Sequence, residues 1–183
     1  MEKIDKLMEE IGRAEIDFEH IKIMATTWNM HGSCPGNDLF EQLFQKDIVH
    51  HDLYIIGTQE AQRPIAQSMI LPSKTKLNKE IMSYFNQDCQ KPGEDHVEGS
   101  RHHEFVLINS ISLASTSLLV IARKKLAPYI NNIQNDVASI GMMNNMIANK
   151  SAVCISFNLG STRMLFISCH LEAHDGNLEK RNQ

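Results

Sequence analysis

Residues 151–183, SAVCISFNLGSTRMLFISCHLEAHDGNLEKRNQ, decide how the chain is read. Two β-rich runs flank Leu159-Gly160-Ser161-Thr162, the pattern of a β-hairpin. The second run reads as a buried strand ending at Ser168 or Cys169. Two histidines four residues apart, His170 and His174, follow it, and a charged, helix-like segment closes the stretch. A strand that delivers imidazoles to its own C-terminal end, inside a β-rich context, is the kind of element that builds a site at a sheet edge.

The segments upstream supply the rest of that context. HEFVLINSISLAS (103–115) and SLLVIARKK (117–125) predict an adjacent strand pair. Residues 131–150 predict a strand, an irregular Asn- and Met-rich loop, and the start of the next strand. DLYIIG (52–57) is a compact apolar run, expected as a buried strand ending at Gly57. HIKIMATTWN (20–29) alternates, which places Ile21, Ile23 and Ala25 on one face of a strand. Residues 78–87 are helical in pattern, with Leu77, Ile81 and Phe85 on one side. Asp38 is placed to cap a short helix running through Phe44. Ile4, Leu7, Met8 and Ile11 predict an amphipathic helix over 1–14, and the polar, turn-rich 87–103 predicts a surface loop. Few helices and a run of strands from about 103 to 169 imply an α+β or layered α/β chain.

Composition narrows the function classes. The 183 residues are 42% hydrophobic and 22% charged, enough apolar material for a core. A net charge of −4 argues against nucleic-acid binding by broad phosphate neutralisation. It leaves room for a small anionic substrate, which needs only a few local cations. The start, MEKIDKLMEE, has no apolar signal-peptide core, and no run approaches the length of a spanning helix. Cys34, Cys89, Cys154 and Cys169 show no CxxC spacing. Cys154 and Cys169 lie in apolar runs and are expected in the core. The expectation is a cytoplasmic protein.

Candidate chemistry collects at three strand ends: Asn29 after the first strand, Glu60 after the second, and His170 after the last. Asn and Glu offer hard oxygen ligands suited to Mg²⁺ rather than zinc. Imidazoles can bind phosphate or stabilise a charged transition state, and Lys150 adds a cation. Each residue also has a plainer role: Asn29 as a turn residue, Glu60 as a helix start, His170 and His174 as a surface pair or metal ligands at i, i+4, and Lys150 as a solvated cation. Arg123-Lys124-Lys125 reads as an exposed charge cluster, with contact to an anionic membrane as the minor alternative.

TTWNMHG, DLYIIGTQEA, SLLVIARKKLAPYI, ANKSAVCISF and FISCHLEAHDGNLEKRNQ occur here in order. Together they resemble the inositol polyphosphate 5-phosphatases, a family of the endonuclease/exonuclease/phosphatase superfamily, from about residue 20 onward. The resemblance implies an α/β/β/α four-layer sandwich with mixed or mostly antiparallel sheets, each sheet coming mostly from one half of the chain. Residues 1–19 are set apart as an N-terminal helix, and the resemblance implies 20–183 as the first part of a catalytic domain whose single sheet leaves its partner face exposed. It further implies Mg²⁺-dependent hydrolysis of the 5-phosphate of an inositol polyphosphate or phosphoinositide, peripheral membrane contact in the second case, and no nucleic-acid partner. By motif, Asn29 and Glu60 resemble the metal-site residues, His170 the histidine contacting the scissile phosphate, and His174 its companion. Asn149 and Lys150 match a substrate-lining Asn-Lys pair, and Arg181 and Asn182 the Arg-Asn of the last motif.

Two departures stand out. The family's Gly-Asn-Lys-Gly-Gly is Ala148-Asn149-Lys150-Ser151-Ala152 here, which predicts a differently seated loop. The Gly-Asp-x-Asn and Ser-Asp-His segments, which resemblance assigns to water activation and a final Asp-His pair, are not among the 183 residues. The expectation is a truncated enzyme, inactive alone; the alternative is a non-catalytic module binding inositol phosphates or a protein.

Overall fold

The computed structural model describes residues 20–32, 37–44, 51–61, 75–86, 104–142, 147–172, 176 and 178–181. For 37–39, 75, 140–142, 147–149, 180 and 181, the backbone alone is described. The predicted helix over 1–14 and loop over 87–103 lie outside these residues.

Two sheets stack face to face. The first joins β1 (Ile23–Asn29), β2 (Leu53–Gln59), β3 (Phe105–Leu113) and β4 (Thr116–Arg123) in the order β1-β2-β4-β3. β1 and β2 run parallel, Ile23 opposite Leu53 through Asn29 opposite Gln59, so their C-terminal ends finish side by side. A parallel pair needs a crossover, and α1 (Asn37–Phe44) lies within it. The second sheet is a meander of β5 (Ile130–Met142), β6 (Ile147–Leu159) and β7 (Thr162–His170). Leu159 pairs with Thr162, and Gly160 turns the hairpin at φ +57°, a conformation that costs glycine little. β7 lies against β2 and β4, and β6 against β3 and β4.

Strand β2 is buried along its whole length because both its faces are covered. Tyr54 and Ile56 join Leu119, Ile121, Phe40, Phe44, Tyr84 and Phe85 in a core beneath α1 and α2 (Thr75–Phe85). Aromatic contacts knit that layer, with Tyr54 and Phe85 rings 4.7 Å apart and edge-on. The expected stripe of Leu77, Ile81 and Phe85 is buried there. On the opposite face, Leu53, Ile55, Leu118 and Val120 pack between the sheets against Val153, Ile155 and Phe157. Each such side chain contributes about 1.5–3 kcal/mol when fully buried.

Several expectations need correction. Both sheets lie within these residues, so the first sheet's inner face is covered by β6 and β7 rather than exposed. Ile23 and Ala25 share one face of β1 as expected; that face is exposed, and Met24 and Trp28 on the other pack on the core. Apolar residues occur at both parities of this edge strand, and the larger Trp28 wins the core side. The short helix begins at Asn37, one residue before the expected cap. β2 continues past Gly57 to Gln59, and β7 continues to His170. β7 is half-exposed rather than buried: Leu165 and Ile167 point away from the first sheet and are 59% and 60% exposed. Cys169, on that same outer face, is exposed and Cys154 half-buried, so neither is a fully buried core residue.

Arg123 is not part of an exposed cluster. Its guanidinium is buried, 3.3 Å from Asp52, donates to the His51 carbonyl at 3.0 Å and lies over the Phe105 ring. Lys124 pairs with Glu104.

Candidate active site

The parallel register places the ends of β1 and β2 together, and sheet stacking brings the end of β7 to the same edge. Backbone bonds extend the β1–β2 pairing past the strands: Met30 N–H donates to Gln59 O at 2.8 Å and Gly32 N–H to Glu60 O at 2.7 Å. Within this clasp His31 and Glu60 hold φ of +52° and +54°. Left-handed backbone at non-glycine residues costs roughly 1–3 kcal/mol and persists only where surroundings hold it. Here it turns the chain sharply as soon as each strand ends.

Four of the expected residues converge. Glu60 Oε1 lies 3.6 Å from His170 Nε2, and Lys150 Nζ lies 2.9 Å from the same nitrogen. The Asn29 side chain hydrogen-bonds the Glu60 carboxylate. Asn29 Oδ1 also accepts the His31 N–H at 3.0 Å, which leaves the amide nitrogen to donate to Glu60. Asn29 is therefore an orienting partner of the carboxylate in this arrangement. The Asn29 bond is the main cause holding Glu60 below the ordinary carboxylate range; His170, His31 and Lys150 add to it, and desolvation opposes it.

Asn149 lies in β6 by its backbone, and Arg181 in the short helix α3 (Leu178–Arg181); neither side chain is described. His174 and Asn182 lie outside the described residues. Ala148 through Ala152 do not form a loop. They sit in β6, where Ser151 pairs with His170, and no residue from 147 to 152 has positive φ. Strand geometry accepts Ala and Ser readily, which removes the reason to expect an altered seat.

Several participants escaped the sequence reading. His31 Nδ1 stands 3.6 Å from Glu60 Oε2, on the other carboxylate oxygen from His170. Behind the site, buried Gln59 donates to Thr27 Oγ1 at 3.1 Å and to Ser168 Oγ at 3.2 Å. Ser151 Oγ donates to the Leu113 carbonyl at 3.1 Å and bonds Thr116 Oγ1 at 2.8 Å. The available signal was a polar residue at an inward strand position. Among the described residues no group of three or more His, Cys, Asp or Glu is placed to hold a metal ion.

The chain is 27% identical over 180 residues to inositol-1,4,5-trisphosphate 5-phosphatase 1 of Schizosaccharomyces pombe, covering 94% of this chain and 16% of that protein. It is 27% identical to human synaptojanin-2, covering 99% and 12% respectively. Among solved structures, the inositol polyphosphate 5-phosphatase domain of SPsynaptojanin, in complex with inositol (1,4)-bisphosphate and calcium ion, superposes with a TM-score of 0.68 at 23% identity. That match covers 99% of this chain and 49% of that one, so the chain spans about half of the domain it resembles. A Cimex nitrophorin superposes at 0.56 with 11% identity, covering 86% and 50%. The same layered fold thus serves unlike proteins, and function has to be argued from the site. Residues 26–183 match endonuclease/exonuclease/phosphatase family 2, and the chain belongs to that family.

Proposed function

We propose that these residues form the metal-binding and phosphate-binding half of an inositol phosphate 5-phosphatase site. The carrying observation is the meeting of one ionised carboxylate, Glu60, with Lys150 and His170 at a single sheet edge. The named activities of the similar proteins support the choice of substrate class. Mg²⁺ fits the donor set, because it commonly takes one or two carboxylates and fills its shell with water and substrate phosphate oxygens. Glu60 would hold it, with Asn29 keeping that carboxylate oriented and charged. When bound, the ion supplies Lewis-acid polarisation of a phosphoryl oxygen.

The protein's own groups have distinct work. The Lys150 ammonium has only donors, so His170 Nε2 accepts from it at 2.9 Å and the ring carries its proton on Nδ1. A phosphate oxygen is a stronger acceptor than an imidazole nitrogen. Its arrival draws Lys150 into a charge-assisted bond and leaves Nε2 open to take a proton and donate to the same phosphate. Turnover also needs a group that activates water. We assign binding to residues 1–183 and water activation to the Gly-Asp-x-Asn and Ser-Asp-His segments that these residues do not include. The proposed setting is the cytoplasm, with free inositol polyphosphates and phosphoinositide head groups presenting the same phosphates.

Calorimetry of the chain with inositol 1,4,5-trisphosphate and Mg²⁺ tests this. Lys150→Ala should weaken binding about tenfold, the loss of one charge-assisted contact. Equal affinity in wild type and variant, or no binding, would overturn the site. Robust Mg²⁺-dependent phosphate release by the 183 residues would overturn the division of labour. A parallel arm with vesicles containing phosphatidylinositol 4,5-bisphosphate separates membrane from soluble substrate.

A further inference from the structure

The proposed metal and phosphate groups stand on different sheets. Glu60 immediately follows β2 of the first sheet, whereas Lys150 and His170 belong to β6 and β7 of the second. Backbone ladders fix distances within a sheet. They do not fix how one sheet sits over the other, because face-to-face apolar packing is non-directional. The 3.6 Å separation of Glu60 from His170 depends on that relation.

One buried side chain spans it beneath the site. Gln59 immediately precedes Glu60 and is 8% exposed. Its amide uses both hydrogens, one on Thr27 of β1 and the other on Ser168 of β7. Thr27 lies two residues before Asn29, and Ser168 two residues before His170, on the same face of its strand. Gly57 makes the approach feasible, since a Cβ there would meet Ser168 Oγ at 2.8 Å. Gln59, the last residue of β2, therefore bonds to β1 and β7, the strands that end in Asn29 and His170, and directly precedes Glu60.

We infer that Gln59 is a positioning residue that couples the metal-binding carboxylate of one sheet to the phosphate-binding groups of the other. The inference rests on the proposed function above. Its signature is in coupling, not in either binding event alone. Mg²⁺ and phosphate that meet at one site raise each other's affinity, and reciprocity makes the factor measurable from either side.

The test is calorimetry on the full chain with three titrations: Mg²⁺ alone, inositol 1,4,5-trisphosphate alone, and the trisphosphate in saturating Mg²⁺. Gln59→Leu removes both donors at similar volume, and Ser168→Ala removes one acceptor with little change of shape. Both variants should keep the two separate affinities within about twofold, while the enhancement of trisphosphate binding by Mg²⁺ falls about fivefold or more, the worth of one directional bond. A variant that only lowers stability would leave the coupling of its folded fraction unchanged. If Gln59→Leu does not fold, Ser168→Ala carries the test. Coupling present in wild type and retained in the folded variants overturns the role of Gln59 alone. Absence of coupling in wild type overturns the proposed site, and this inference with it.

Discussion

Gly57→Ala is the sharpest probe of how the sheets meet. An alanine Cβ would sit 2.8 Å from Ser168 Oγ and 3.2 Å from Ser168 Cβ. Ordinary contact requires relief of roughly half an ångström or more. The hydroxyl can swing away only by giving up its bond from Gln59, 3.2 Å long and buried. The substitution therefore has two routes. It pushes β7 off β2, an overpacking that costs about 1–3 kcal/mol, or it strands a buried amide hydrogen, which costs about 1–3 kcal/mol. The routes are alternatives, so the expected loss is about 2 kcal/mol rather than their sum. Urea unfolding followed by circular dichroism and by Trp28, the single tryptophan, reads it as a lower midpoint at unchanged slope. Ser168→Ala completes a double-mutant cycle. Removing the hydroxyl should recover about 1 kcal/mol of the Gly57→Ala loss as a non-additive term. A Gly57→Ala protein within about 0.5 kcal/mol of wild type, or a strictly additive cycle, would refute the close approach on which the inter-sheet argument stands.

Three further outcomes are expected. Glu60 is held below its ordinary range, so its contribution to stability is present above the unfolded carboxylate pKa of about 4.5 and is lost as pH falls through its lower folded value; the stability gap between wild type and Glu60→Gln should be constant near neutrality and close only below pH 4.5. Asn86, just past α2, receives the Phe105 N–H at 3.0 Å and donates to the Phe105 carbonyl at 3.1 Å; Asn86→Ala should cost about 1–3 kcal/mol in urea melts, and a loss under about 0.5 kcal/mol would show the bonds replaced by water. Arg123→Ala strips Asp52, the His51 carbonyl and the Phe105 ring of one partner at once, and should cost about 3–5 kcal/mol, with Arg123→Lys recovering only part of it.

Much of the fold was legible because the strongest patterns were local. DLYIIG reads as buried from its unbroken apolar run, and LGST reads as a turn whatever lies elsewhere. The strand-end triad of Asn29, Glu60 and His170 was legible for a related reason: a polar residue after an apolar strand has few places to go but a sheet edge. What stayed hidden depended on partners distant in the chain. Arg123 sits in a run of charges and looks exposed, yet Asp52, seventy-one positions earlier, takes it inside. Whether Ile23 or Met24 faces inward is decided by the aromatic layer of α1 and α2, which the strand's own alternation does not encode. Gln59, Thr27 and Ser168 each look like an ordinary polar interruption of a β run. Only stacking of the two sheets shows that they meet.

The topology also orders events in time. The β5–β6–β7 meander and the β3–β4 hairpin close short loops, whereas β1 and β2 must cross over in parallel and β4 must insert beside β2. Loop-closure entropy favours the local pieces first. A chain with its hairpins formed would already hold Lys150 beside His170 in the β6–β7 pair, but Glu60 and Asn29 would not yet have reached them. Pulse-labelled amide exchange should find β6 and β7 protected before β1. The residues that meet at the sheet edge would then come together late in folding, and their meeting would report that the two sheets have docked.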